Sequence, residues 1–400
     1  MNERGFLEMA MRDLASNARR SFLQGVASAA VLGAAQRAGA APSAREWVHI
    51  GTYTGDSSKG IYRVGFEPAN GKLSEPELVA RTTSPSFLEW HPSRRFLYAV
   101  NEVRKFNGQP GGSATAFAFD ARGGLVTELN AVSTKGAGPC HLKCSPDGKA
   151  LVVANYSAGS TATYTIAPDG RLSEAVSVTQ HEGSGANPQR QKGPHAHGIA
   201  MWRYKGKLLT YVTDLGIDKV LAYELDTATA KLTPWPAQPA VPLAPGSGPR
   251  HVVVHPSAPL AFVINEMGNT LTSFRIDPKT SVWTQADSQS TIPKDYRGQS
   301  DTAELAVHPN GKFLYGSNRG HDSIVVFGIQ PGTGKLTLKG YVSTEGKSPR
   351  SFAIHPSGKS LIAANQETGN LVSFAIEAAT GMPRPAGHQV SLSKPVCVLF

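Results

Sequence analysis

Arginine, glutamate and histidine recur at the ends of short apolar segments, where together they could act on an ester. Arg250 and Arg350 follow a proline at the start of such segments, whereas Glu266 and Arg319 follow an asparagine at the end of others. An arginine can stabilise the oxyanion that forms when water attacks an ester carbonyl, and a carboxylate or neutral imidazole can accept the proton of that water. These residue types therefore favour hydrolysis or closure of a lactone, which is a cyclic ester.

Two histidines stand two residues apart in the segment Pro194–Gly198. Side chains alternate along a strand, so His195 and His197 are expected to share a face. With Asp214 or Glu266 the pair could instead hold zinc or calcium. Because the nearby arginines would repel a divalent cation, we expect a site with no metal and no other cofactor.

These residues occupy equivalent places in seven imperfect copies of one unit. Each copy has a Pro-led apolar strand, a turn such as His-Pro-x-Gly-Lys, and a second apolar run that ends in a polar pair. The copies begin at residues 85, 139, 194, 249, 302, 349 and 395, which are 46 to 55 residues apart. A repeat of about 40 to 50 residues with several short strands predicts an all-β fold, a seven-bladed β-propeller.

The last copy stops at Phe400 after one strand, and the strand it lacks occurs near the other end of the chain. Trp47–Tyr53 resembles the second strand of a unit. The two segments are therefore expected to share a blade and close the ring, which removes exposed sheet edges. The alternatives are an open solenoid or two sandwiches, in which split ends would have no use.

In a propeller blade, the start of the innermost strand and the end of the next strand open on the same mouth of the channel. The repeat thus predicts which side chains converge there, although rims of paired charges also occur as pure structure. The residues expected at this rim are Arg250, Arg319, Arg350, Glu266, Glu304, His195 and His197.

The first part of the chain has the features of an export signal. Arg19–Gln24 resembles a twin-arginine motif, and Gly25–Ala35 is apolar but too short for a stable membrane span. Ala38-Gly39-Ala40 fits a cleavage site. We therefore expect a signal peptide at residues 1–41, a single propeller domain at 42–400, the twin-arginine export machinery as a partner, and a periplasmic product. The alternative is a disordered basic leader on a cytoplasmic protein.

Composition narrows the classes of ligand. The net charge is +10, and about +8 without residues 1–41, which suits an anionic small molecule. The sequence has no run of lysine and arginine with interleaved aromatic residues, a pattern that would indicate nucleic-acid binding. Cys140, Cys144 and Cys397 have no disulfide or zinc-finger spacing and are expected to be buried thiols. No Gly-x-Ser-x-Gly elbow, P-loop or dinucleotide fingerprint occurs.

At these residues the chain resembles the lactonase family of seven-bladed propellers, which includes the cofactor-free 6-phosphogluconolactonases. It is also similar to the fungal carboxy-muconate lactonising enzyme. The resemblance extends over about residues 47–400. The matching segments are Pro194–His197, Val212–Lys219, Gly246–His251, Asn265–Glu266, Ser317–Ser323 and Ala364–Gln366.

The resemblance implies catalytic roles for His197, Arg250, Glu266 and Arg319. Glu266 or His197 would activate water, while Arg250 and Arg319 would hold the oxyanion and the acid group. The residues expected to bind substrate, from the matched segments and the rim positions, are His195, His251, Glu304, Asn318, Arg350 and Gln366.

The implied activity is hydrolysis of a sugar lactone, with 6-phosphogluconolactone as the family's substrate. Two departures favour an unphosphorylated aldonolactone such as gluconolactone. Export would remove the enzyme from the phosphorylated sugars of the cytosol, and the unit that begins at Thr302 has no arginine at its second position. The alternatives are a muconate-type lactonising cycloisomerase and a non-catalytic periplasmic binding propeller.

Overall fold

Short β-strands joined by tight turns make up the computed structural model, which describes residues 45–55, 57–121 and 124–400. The expected signal peptide lies outside these residues. Within them, no helix is long and apolar enough to cross a membrane. The strands, in chain order, are β1 (Glu46–Thr52), β2 (Gly60–Glu67), β3 (Lys72–Leu73), β4 (Glu77–Arg81), β5 (Phe87–Trp90), β6 (Phe96–Asn101), β7 (Lys105–Phe106), β8 (Gln109–Pro110), β9 (Ser113–Asp120), β10 (Leu125–Ser133), β11 (Pro139–Cys144), β12 (Ala150–Asn155), β13 (Ser160–Thr165), β14 (Ser177–Gln180), β15 (Ala196–Tyr204), β16 (Lys207–Asp214), β17 (Lys219–Asp226), β18 (Lys231–Pro234), β19 (Ala240–Pro242), β20 (Pro249–Val254), β21 (Leu260–Asn265), β22 (Thr270–Ile276), β23 (Trp283–Ser290), β24 (Asp301–Val307), β25 (Phe313–Arg319), β26 (Ser323–Ile329), β27 (Leu336–Ser343), β28 (Pro349–Ile354), β29 (Ser360–Asn365), β30 (Asn370–Ile376), β31 (Pro383–Ser391) and β32 (Pro395–Leu399).

Seven antiparallel sheets of four or five strands form the blades. Six of them use consecutive segments, such as β11-β12-β13-β14 and β20-β21-β22-β23, and a two-stranded ribbon of β7 and β8 extends from one blade. The innermost strands contact one another in the cyclic order β5, β11, β15, β20, β24, β28, β32 and back to β5. The predicted all-β, seven-bladed propeller is confirmed.

The seventh blade joins the two ends of the described domain. Its strand order is β32-β1-β2-β3, and Ile50 of β1 pairs with Val398 of β32. The indole Nε1 of Trp90, in the next blade, donates to the carbonyl of Phe400 at 2.8 Å. The sequence prediction of a shared closing blade is therefore confirmed.

The hydrophobic core is divided among the spaces between neighbouring blades. Seven buried clusters occur in the described residues, one at each blade-to-blade interface. Between the blades of β20 and β24, for example, Phe262 packs with Val325 and Phe327, all almost fully buried. Burial of each such side chain contributes about 1.5–3 kcal/mol, so the free energy of folding depends on adjacent blades being present.

The turn motif His-Pro-x-Gly-Lys makes a hydrogen bond between successive blades. His255 Nε2 lies 2.8 Å from the carbonyl oxygen of Gly311, and His308 Nε2 lies 2.8 Å from that of Gly358. A carbonyl only accepts, so Nε2 carries the proton. Two features require glycine at position 311. Its φ is +72°, and an added Cβ would lie 2.6 Å from the His255 ring.

This contact generates the first prediction. Gly311→Ala should lower the free energy of unfolding by about 1–3 kcal/mol, because alanine is strained at positive φ and its Cβ displaces the histidine. Denaturant unfolding measures the change. Gly332→Ala is the matched control, since no atom lies within 4 Å of the site of its Cβ. Equal stability changes in the two variants would contradict the assignment.

Candidate active site

The inner strands that supply the site begin with β-bulges. In β20, Pro249 pairs with Asn265 and His251 pairs with Ile264, so Arg250 is an extra residue that the ladder does not use. The same irregularity makes Cys140 the extra residue of β11 and Arg350 that of β28, and His197 lies within the bulge of β15. A bulge re-aims a side chain out of the normal alternation. The repeat therefore places several of these side chains at one rim.

The second strand of each repeat ends in a polar pair, and the two members of the pair have different functions. The first member braces a loop: Asn318 Nδ2 donates to the Thr291 carbonyl at 2.8 Å, and Asn365 Nδ2 donates to the Thr344 carbonyl at 2.9 Å. The second member reaches the channel mouth in four blades, where it lines a cavity. Those second members are Glu102, Tyr156, Glu266 and Arg319.

The cavity has a volume of about 260 Å³, just below the roughly 300–1,000 Å³ that is usual for ligand pockets. It brings together four of the residues expected at the rim, namely His197, Glu266, Arg319 and Arg350. Its full lining is Glu102, Cys140, Tyr156, Arg190, His197, Glu266, Asp301, Arg319 and Arg350.

Glu266 is the centre of the charged cluster. Its Oε1 accepts a hydrogen bond from Arg190 Nη2 at 2.7 Å, while its Oε2 lies 2.9 Å from Arg319 Nη2 and 3.2 Å from Arg250 Nε. The side chain is only 8% exposed. Burial alone would raise the pKa of Glu266, but the surrounding guanidinium groups lower that pKa to about 2. The carboxylate is therefore ionised at neutral pH, held by a hydrogen bond from Arg190 and by ion pairs with Arg319 and Arg250.

Arg250 supports Glu266 without being part of the cavity lining. Its side chain is 4% exposed, and burial together with Arg350 and Arg319 lowers its pKa to about 10. Arg250 Nη1 donates to the Ala303 carbonyl, and Arg319 Nη2 donates to the Thr302 carbonyl, both at 2.7 Å. The unit that lacks an arginine thus supplies two backbone acceptors that orient the arginines of neighbouring segments.

His197 is a neutral imidazole on the cavity lining. Burial, followed by the charges of Arg250 and the proximity of His251, holds the pKa of His197 well below its ordinary value. Its Nδ1 is buried with no hydrogen-bond partner among the described residues. The edge of its ring meets the Tyr156 ring at a centroid distance of 5.6 Å. The imidazole is thus available as a proton acceptor.

His195 lies before β15 begins, so alternation along a strand does not relate it to His197. Its ring stacks on Tyr156 at 4.6 Å, and its Nδ1 lies 2.9 Å from the Tyr156 carbonyl oxygen. His195 is not part of the cavity lining. Its ring contacts Tyr156, which the imidazole of His197 also contacts.

Four other residues expected to contact substrate also lie away from the Glu266 cavity. His251 and Glu304 line a second cavity of about 340 Å³, which shares no lining residue with the first. Asn318 braces the chain, as described above. Gln366 donates its backbone N–H to the Ser348 carbonyl at 2.9 Å and is absent from the cavity lining.

Arg350 differs from the other arginines of the site. Its guanidinium lies over the Tyr53 ring at 5.4 Å, and no carboxylate is paired with it within the described residues. Tyr53 donates its hydroxyl to Glu102 Oε2 at 2.9 Å. Burial would lower the pKa of Arg350, but Tyr53 and Glu102 raise it. Arg350 is therefore a charged group that can bind a ligand anion.

Arg190 is a site residue that the sequence did not indicate. It lies in the loop between β14 and β15, which is longer than the loops at the same position in the other blades. The next residue, Gln191, is buried, and its Nε2 donates to Asp218 Oδ1 and to the Leu215 carbonyl, each at 2.8 Å. This anchor holds Arg190 over Glu266. For Glu102 and Tyr156 a signal was available, since they occupy the same repeat position as Glu266.

The alternative function of His195 and His197 was metal binding. Over the part of the chain that the structure describes, no three His, Cys, Asp or Glu side chains converge into a set that could hold a metal ion.

Comparison with known proteins gives the same architecture. Residues 47–400 match the family model described as lactonase, 7-bladed beta-propeller. The chain is 34% identical over 304 residues to the 6-phosphogluconolactonase of Bacillus subtilis, a match that covers 76% of this chain and 83% of that one. The structure of the periplasmic gluconolactonase of Pseudomonas aeruginosa superposes with a TM-score of 0.82 and 31% identity, covering 89% of this chain and 98% of that one.

The depressed pKa of Glu266 generates a prediction about acid stability. A carboxylate whose pKa falls from 4.5 to about 2 on folding stabilises the native state above pH 4.5, and this contribution disappears as the pH falls toward 2. The contribution is about 3 kcal/mol at neutral pH. The stability difference between wild type and Glu266→Gln should therefore shrink between pH 5 and pH 3, as measured by urea unfolding. A difference that does not change with pH would contradict the ionised state of Glu266.

Proposed function

Since the chain belongs to the lactonase family of seven-bladed β-propellers, a family of lactone-hydrolysing enzymes, we propose that it hydrolyses an unphosphorylated aldonolactone in the periplasm. The observation that carries this proposal is the cavity in which a neutral imidazole, His197, faces the Glu266–arginine cluster. A base and fixed cationic donors around one small space are what water attack on an ester carbonyl requires.

In the proposed reaction, a water oxygen attacks the lactone carbonyl carbon, and the carbonyl oxygen becomes an oxyanion. His197 accepts the proton of the attacking water. The ring C–O bond then breaks, and His197 returns this proton to the departing ring oxygen, which becomes a hydroxyl group. The carboxylic acid that results loses its proton to solvent.

Arg319 and Arg350 are the donors for the oxyanion and for the carboxylate of the product, because both line the cavity. Glu266 is a counter-ion in this scheme. With a pKa of about 2 it is a weak base, and its oxygens are already engaged by a hydrogen bond from Arg190 and an ion pair with Arg319. It holds Arg190 and Arg319 at the cavity and offsets their charge before substrate arrives.

The charges around the cavity favour a neutral sugar ring over a sugar phosphate. Glu102, Asp301 and Glu266 line the same small space, and two of the three arginines that line it are already paired with Glu266. A phosphate dianion would meet these carboxylates at short range. Carboxylate oxygens are instead good acceptors for the hydroxyl groups of an aldonolactone.

A phosphorylated lactone is the second candidate, and one observation favours it. Arg350 has no carboxylate partner in the described residues, and a guanidinium fork binds phosphate in a bidentate fashion. The Bacillus subtilis relative is named 6-phosphogluconolactonase. Glucono-δ-lactone and 6-phosphogluconolactone should therefore be compared directly by kcat/KM in a pH-stat, with spontaneous hydrolysis subtracted.

For the activity itself, His197→Gln should lower kcat on the better lactone by about 10²–10⁴-fold, because the base is lost. Arg319→Ala should lower it by about 10²–10³-fold through loss of an oxyanion donor. His321→Gln is the matched control, because its ring rests on Tyr296 outside the cavity lining. Glu266→Gln and Arg250→Ala should also lose activity, but they leave buried charges unpaired, so their folding must be checked first.

Wild-type rates in both His197→Gln and Arg319→Ala would overturn the proposed mechanism. Turnover of muconates with no lactone hydrolysis would indicate the cycloisomerase alternative. Absence of turnover with every lactone and muconate would indicate the non-catalytic binding propeller.

Periplasmic location is supported by the twin-arginine motif at Arg19 and Arg20 and by the periplasmic Pseudomonas aeruginosa relative. The full chain, expressed in a Gram-negative host, should yield lactonase activity in the periplasmic fraction. The paired substitution of Arg19 and Arg20 by lysine should move that activity to the cytoplasm, because the export machinery reads the arginines. Wild-type activity that stays in the cytoplasmic fraction would contradict export.

A further inference from the structure

A buried histidine–carboxylate pair touches Arg250, the arginine that supports Glu266. His251 Nδ1 lies 2.8 Å from Glu304 Oε1, and His251 Nε2 lies 3.1 Å from Arg250 Nη1. The side chains of His251 and Glu304 are 5% and 14% exposed. Because Arg250 Nε lies 3.2 Å from Glu266 Oε2, the four side chains form one polar chain between the two cavities.

The chemistry of an arginine fixes the proton positions along this chain. A guanidinium has only donors, so the contact with Arg250 requires that His251 Nε2 accept. The imidazole must then be neutral with its proton on Nδ1, and that N–H donates to the Glu304 carboxylate. Burial and the Arg250 charge lower the pKa of His251, consistent with the neutral ring. Burial would raise the pKa of Glu304, but its contact with His251 lowers it, consistent with a carboxylate.

We propose that His251 is a positioning residue for lactone hydrolysis, which holds Arg250 in the orientation that supports Glu266. His251 Nε2 and the Ala303 carbonyl oxygen both lie within hydrogen-bond distance of Arg250 Nη1. Two acceptors on one nitrogen fix the plane of the guanidinium, which keeps Nε in ion-pair contact with Glu266 Oε2 at 3.2 Å without a hydrogen bond between them. The role rests on the proposed function, because it acts through the Glu266 cluster.

Charged and titratable side chains surround both His251 and Glu266. The groups that face His251 are Glu304, Arg250, Arg350, His141 and His197. Those that face Glu266 are Arg190, Arg250, Arg319, Arg350 and Asp301. Arg250 lies 3.1 Å from His251 Nε2 and 3.2 Å from Glu266 Oε2, so a change at His251 reaches Glu266 through a direct contact.

Two substitutions at His251 distinguish positioning of Arg250 from a role in which the His251 ring only occupies volume. The amide group of glutamine reaches the place of Nε2, whereas that of asparagine reaches the place of Nδ1. His251→Gln keeps an acceptor for Arg250, so kcat on glucono-δ-lactone should stay within about threefold of wild type. His251→Asn keeps only the Glu304 contact, so kcat should fall about 10- to 100-fold with KM changed less than about twofold.

Glu89→Gln provides the matched control. Glu89 lines the same second cavity but pairs with Lys143 at 2.6 Å. Its loss removes a carboxylate from that cavity without touching the chain to Arg250, so kcat should not change. Equal kcat in His251→Asn and His251→Gln, or a decrease in Glu89→Gln as large as that in His251→Asn, would overturn the positioning role.

A stability cycle tests the same link without any substrate. His251→Asn and Glu266→Gln should shift the urea midpoint non-additively when combined, because both act on Arg250. Glu89→Gln and Glu266→Gln should be additive. Additivity of His251→Asn with Glu266→Gln would refute the link. If the wild-type protein hydrolyses no lactone, the proposed function fails, whereas this cycle still decides whether His251 is coupled to Glu266.

Discussion

The packing of seven inner strands around one axis is the constraint on which the site depends. Each strand comes from a different segment of the chain, so residues as far apart as Glu102 and Arg350 line one cavity. The bulge at the start of these strands adds a residue that the ladder does not use, and this residue contributes Cys140 and Arg350 to the cavity. Closure of the ring and irregularity within it are thus both needed to assemble the site.

Electrostatic balance decides what the assembled residues can do. A lone buried guanidinium or carboxylate would be costly, and the structure meets this cost by giving Glu266 three arginine partners. The balance leaves two kinds of group free to act at the cavity: the neutral imidazole of His197 and the unpaired guanidinium of Arg350. The buried cluster is therefore a rigid, preorganised setting in which these two groups meet a ligand.

The sequence predicts the architecture well because the repeat period, the polar pairs and the missing strand can all be seen in the order of residues along the chain. It also predicts that His197, Glu266, Arg319 and Arg350 share a rim. It does not indicate that His251 and Glu304 line the second cavity, because a bulge shifts the alternation by one residue and no repeat pattern reveals a bulge.

Arg190 escaped prediction for a different reason. Its loop is longer than those at the same position in the other blades, and the anchoring of Gln191 in three dimensions places the arginine over Glu266. Contacts made by one blade's loop lie beyond what a repeat can indicate.

In the ladder between β1 and β32, Leu399 pairs with His49, so the two ends of the described propeller are neighbours. A circular permutant with these ends joined and new ends opened between β31 and β32 would build every blade from one continuous segment. Its ring would be held by packing between blades alone. Comparison with the natural connectivity would show how much the blade shared by β32 and β1 contributes to the resistance of the ring to opening.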